Sequence, residues 1–92
     1  MIERIENRLN NINSHHLIDQ YDIMVKVVED TKFLLVQNKN ESNLALLKRV
    51  LDKIHELRFK LAYNKGTTDL GELDVNLKKS WESLNALLPN SD

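Results

Sequence analysis

Residues that turn a chain are almost absent here: Gly66, Gly71 and Pro89 are the only glycines and proline among 92 residues. An all-β or βαβ chain must reverse direction about every 8–12 residues, and it uses glycine and proline to do so. The chain therefore reads as helical. With 41% hydrophobic and 29% charged residues, it has the apolar content of a folded protein rather than a disordered one. Its length predicts one domain over 1–92.

Apolar spacing predicts four helices. In the first, over 1–13, Ile2, Ile5, Leu9 and Ile12 recur at steps of three and four. That is the narrow stripe of a coiled-coil seam, wide enough for one partner helix. Asn10, Asn11 and Asn13 weaken its end, because asparagine is a poor helix former. The stripe changes phase between Ile12 and Leu17, which predicts a break near 13–16 with Ser14 capping the next helix. A continuous helix is the alternative.

The core helices occupy 14–88. The second runs from Leu17 to Gln37, with Leu17, Tyr21, Met24, Val28 and Leu35 as its central stripe. Ile18, Val25 and Val36 flank that stripe on one side, and Ile23, Val27 and Leu34 on the other. Only Asp19, Asp22, Lys26, Glu29, Asp30 and Gln37 form a polar strip, so this helix needs neighbours on several sides. A polar connector over 38–43 follows, with Asn40 or Ser42 as the next cap. The third helix is expected from Asn43 to Asn64, with its stripe running from Leu47 to Leu61 and Gly66 as a C-terminal cap. Asp69 and Glu72 have the spacing of a capping box for a fourth helix. Its stripe is Leu70, Leu73, Leu77, Trp81, Leu84 and Leu88, with Trp81 in the core and Pro89 as the stop. The expected fold is all-α: a small antiparallel bundle of three long helices plus a shorter N-terminal one.

Little chemistry is encoded. The absence of cysteine excludes disulfides, Cys-ligated zinc and thiol nucleophiles. His15 and Asp19 stand one helical turn apart, but with His16 they do not complete a structural metal site. His55-Glu56 begins a zinc-protease motif, but Phe59 occupies the place of its second histidine. Two isolated glycines make no phosphate loop. No enzyme activity, cofactor, metal or small-molecule substrate is expected. The net charge of −1 argues against nucleic acid as a partner, although 41–65 is net basic between two net acidic stretches. No apolar run approaches the ~18 residues that cross a bilayer. The charged start Met1-Ile2-Glu3-Arg4 is unlike a secretory signal, which predicts a cytoplasmic protein.

Apolar residues on polar faces are the remaining signal. Phe33 falls within the polar strip of the second helix, and Phe59 and Tyr63 pair at i, i+4 away from the stripe of the third. Aromatic groups are favoured anchors at interfaces. The expected function is non-enzymatic protein–protein interaction, as an adaptor, regulator or small complex subunit. It would act by docking of helix faces through Ile2, Ile5, Leu9 and Ile12 or through Phe33, Phe59 and Tyr63. The partner is expected to be another protein or a second copy. Phe59, Ala62-Tyr63, Asn64-Lys65 and Leu77 also resemble the small helical immunity proteins that protect bacteriocin producers. That resemblance implies a cytoplasmic four-helix bundle acting as an inhibitor. A nucleic-acid-binding helical module is a third alternative.

Overall fold

The structure, a computed structural model, describes residues 1–63 and 70–89. These form α1 (Ile2–Asn11), a 3₁₀ turn (Ile12–Ser14), α2 (Leu17–Gln37), α3 (Glu41–Tyr63) and α4 (Leu70–Asn85). No strand occurs among the described residues. The architecture is the all-α bundle that the spacing predicts. The Gly66 cap and the Asp69 half of the capping box lie outside the described residues.

The break between α1 and α2 is present, and its chemistry differs from expectation. Ser14 does not cap α2; its hydroxyl donates back to the Asn11 carbonyl at 2.7 Å. His15 and His16 are extended, and His16 takes the N-cap position with no side-chain hydrogen bond. Gln20, buried, closes the turn by donating from Nε2 to the His15 carbonyl at 2.8 Å. The turn from α2 to α3 is tighter than the sequence suggests. Asn40 Oδ1 accepts the Asn43 backbone N–H at 2.8 Å, so Asn40 is the cap and α3 starts at Glu41. Asn43 is itself buried and donates from Nδ2 to the Asn38 carbonyl at 2.8 Å. Replacing Asn40 by Ala should cost about 1 kcal/mol, the usual value of a lost cap, seen as a lower denaturant midpoint at unchanged slope.

The helix α2 sits at the centre because its apolar arc is wide. Its buried residues are Gln20, Met24, Val27, Val28, Thr31 and Leu35. This arc is rotated from the expected stripe, leaving Leu17 and Tyr21 half-buried. At about 100° per residue, Asp30 and Gln20 bracket the flank made by Ile23, Val27 and Leu34. That flank receives α1: Arg4 and Arg8 reach Asp30, and Ile12 lies beside Gln20. On the opposite side Asn76 of α4 donates to the Tyr21 hydroxyl at 3.3 Å. The other flank, with Ile18 and Val36, stays open to solvent.

Polar groups inside this core are satisfied locally. Thr31 is fully buried and its hydroxyl donates to the Val27 carbonyl at 2.7 Å. A threonine that bonds back one helical turn can sit in an apolar seam without an orphaned donor.

The fourth helix ends at Asn85, before the expected Leu88. Leu87 and Leu88 donate their N–H groups to Leu84 and Asn85 at 2.9 and 3.1 Å, which tightens the last turn to 3₁₀ geometry. Pro89 has no N–H to continue it, and it disfavours helical geometry at Leu88. Leu70, Leu77 and Leu84 are buried at seven-residue steps, while Leu73 and Trp81 are only half-buried.

Candidate docking face on α3 and α4

The stripe of α3 that faces the core takes Leu47, Val50, Leu51, Ile54, Leu57 and Leu61 inward. The same helical period brings His55, Phe59 and Tyr63 out on one ridge, each four residues from the next. The Phe59 and Tyr63 rings lie 5.1 Å apart at 43°, a tilted arrangement that aromatic quadrupoles favour. Both are open to solvent, at 65% and 77% exposure. The antiparallel course of α4 sets the Trp81 ring 6.0 Å from His55. Trp81 is therefore not enclosed in the core, where its sequence position predicts it; it forms the edge of this face.

One ion pair fixes the register of the two helices below the ridge. Arg58 Nε donates to Asp74 Oδ1 at 2.8 Å, with both side chains about a quarter to a third exposed. Two hollows meet at His55. One, of about 320 Å³, is lined by Lys48, Leu51, Asp52, His55 and Trp81. The other, of about 270 Å³, is lined by His55, Arg58, Phe59, Ala62 and Asp74. Each end thus combines apolar wall with one cation and one carboxylate. Such a surface can seat an apolar side chain and answer a charge of either sign beside it.

The other residues expected to meet a partner are dispersed. Ile5, Leu9 and Ile12 are at most 2% exposed, because their seam is filled by α2 and α3 of the same chain. They hold the fold and offer no open surface. Ile2 is 39% exposed and lines a third hollow, of about 460 Å³, with Glu6, Ala45 and Arg49. Phe33 is exposed on the outward arc of α2, and among the described residues no ring contact joins it to Phe59 or Tyr63. The sequence reading missed His55 and Trp81 as members of the face. His55 is legible in retrospect as the residue one turn before Phe59; the approach of Trp81 depends on the register of α3 against α4.

Four of the five cations of α3 have partners within the chain, and Lys48 lies exposed at the first hollow. Arg49 donates to Glu6 at 3.3 Å, Lys53 to Glu56 at 3.1 Å and Lys60 to Asn13 at 3.1 Å, besides the Arg58–Asp74 pair. The basic stretch therefore meets acids from α1, from α3 itself and from α4. His15, His16 and Asp19 are exposed, and among the described residues no group of three or more His, Asp or Glu side chains is placed to hold a metal ion. No helix of the described residues is long and apolar enough to cross a membrane. No family model, curated protein or solved structure matches this chain.

Proposed function

We propose that this chain is a non-enzymatic interaction module that docks another protein on the ridge formed by His55, Phe59 and Tyr63 with Trp81. The observation that carries the reading is the tilted, solvent-exposed Phe59–Tyr63 ring pair beside two hollows that share His55. Large rings left in water raise no barrier to desolvation, and they lose little conformational freedom when covered. The charged rim, Lys48 with Asp52 and Arg58 with Asp74, would fix orientation more than affinity. An immunity-type helical inhibitor is the alternative reading, since Phe59 and Tyr63 lie on this ridge and Ala62 lines the hollow beside it. The pairing of Arg49, Lys53 and Arg58 with carboxylates weighs against a nucleic-acid groove.

The experiment is a comparison of the whole protein with Phe59→Ala/Tyr63→Ala in capture from its native source. Neither side chain is buried, so the melting curve should move by no more than about 0.5 kcal/mol equivalent. The expected result is a protein retained by the parent and by an Ile18→Ala control, and lost with the double variant. Retention by all three would remove the ridge as the docking face.

A further inference from the structure

We propose that a second copy of this chain is the alternative occupant of the α1 groove, reached when residues 12–16 join α1 and α2 into one helix. This dimer uses a different surface from the α3–α4 ridge and does not depend on it.

The first observation is a turn with no turn chemistry. Residues 1–63 contain neither glycine nor proline, and no described residue has a positive φ. His16 caps α2 with backbone alone, and Ser14 bonds backward into α1. Nothing covalent or local in 12–16 forbids helix. The break is held by two local bonds, the His15 N–H on the Ile12 carbonyl at 3.2 Å and Gln20 on the His15 carbonyl, and by the tertiary contact of Lys60 with Asn13 and the docking of α1 itself.

The second observation is phase. Ile5, Leu9 and Ile12 carried forward at about 100° per residue fall in the same sector as Ile23, Val27 and Leu34 of α2. A straight helix from Ile2 to Gln37 would therefore carry both apolar stretches in one sector, with the polar His16 and Gln20 between them at the crossing. That sector is the surface by which α1 and α2 already hold each other.

The third is the antiparallel pairing. Arg4 Nε and Nη2 reach Asp30 at 3.0 and 3.1 Å, and Arg8 Nη1 reaches it at 2.9 Å. This places the midpoint of the α1–α2 pair near Leu17–Asp19. Two straight helices crossing antiparallel about that midpoint reproduce every such contact between copies, with Arg4 and Arg8 on Asp30 of the second copy. The exchange keeps the α1–α2 interface and gives up only the linker's own bonds, Lys60 on Asn13 and Gln20 on the His15 carbonyl, so concentration and the helicity of 12–16 decide it.

Two variants pull the linker in opposite directions. His16 has φ −67° and follows an extended His15 with ψ 163°, so His16→Pro fits the closed turn and breaks the straight helix. Asn13→Ala/Ser14→Ala/His15→Ala raises the helix propensity of the linker. Light scattering across a concentration series, after refolding at high concentration, is the readout. The triple variant should show a species of twice the chain mass, with a dimer dissociation constant lowered about tenfold or more from the parent. His16→Pro should keep a single chain mass throughout. A triple variant that stays monomeric, or a His16→Pro protein that dimerises as readily as the parent, overturns the proposal. A second test does not require each variant to be stable alone. Arg4→Glu/Arg8→Glu repels its own Asp30, and Asp30→Arg repels its own arginines. Mixed, they restore both attractive pairs only by exchange, so a 1:1 complex melting above either component is expected. Two independent monomers in the mixture would overturn it.

Discussion

Replacing Ile5 and Leu9 together by aspartate should detach α1 and lower the melting temperature by roughly 15–30 °C, for a loss of ~4 kcal/mol in a domain of this size. Ile5 is 0% and Leu9 2% exposed, and both belong to the single buried cluster that runs through α2, α3 and α4. Truncating one such aliphatic side chain alone costs about 2–5 kcal/mol. A carboxylate in the same place finds no partner, and its desolvation cost exceeds what the short helix gains by staying docked. The helix then leaves, and an isolated segment of ten residues does not hold helix in water. Amides of 2–14 should exchange at free-chain rates while those of α3 and α4 remain slow. The control is Ile18→Asp, at an exposed position, which should shift stability by no more than about 0.5 kcal/mol. A double variant that melts with the parent would mean that the seam contributes no stability.

The Arg4–Asp30–Arg8 group that accompanies this seam is a smaller effect. Asp30 is 18% exposed and Arg4 is about half exposed, so solvent screens the pairs and each contributes little. Their value is geometric. A bidentate arginine fixes where α1 lies along α2, which the apolar contacts alone leave free to slide by a turn.

Helix periodicity was readable because α1, α3 and α4 each meet the core on one side. The seam of α1, the break at 13–16, the Leu47–Leu61 stripe of α3 and the Leu70–Leu84 repeat of α4 all follow from spacing alone. The flank of α2 that α1 covers was not readable. Ile18 with Val36 and Ile23 with Val27 and Leu34 are equally apolar, and only the antiparallel docking of α1 onto Asp30 decides between them. Gln20 and Asn43 were missed as buried because their amides are answered by backbone carbonyls that the turns before α2 and α3 expose, and Thr31 because its hydroxyl is answered one turn back within α2. At the candidate face, the Phe59–Tyr63 pair was visible as an i, i+4 spacing. The approach of Trp81 to His55, one turn before Phe59, was invisible, since it depends on the register of α4 against α3.

The position of Trp81 leads to an ordering that the sequence reverses. As the largest apolar residue at the centre of the α4 stripe, Trp81 would be the costliest truncation, at the ~3–5 kcal/mol of a fully buried indole. In the fold Leu77 and Leu84 are 0% exposed, while Trp81 is half-buried with one side facing the hollow beside Lys48 and Asp52. Leu77→Ala opens a closed void between α4 and its neighbours, and a void that water cannot fill costs both the lost burial and the lost contacts, about 2–5 kcal/mol. Trp81→Ala widens a hollow already open to water, so the lost contact area is smaller and no sealed cavity adds to it. Leu77→Ala should therefore have the lower denaturant midpoint of the two at similar slope. The Trp81 fluorescence of the parent should lie between that of a sealed and that of a hydrated indole, and shift when a partner covers the ridge. If Trp81→Ala is instead the more damaging variant, the indole belongs to the core and the α3–α4 face loses its edge.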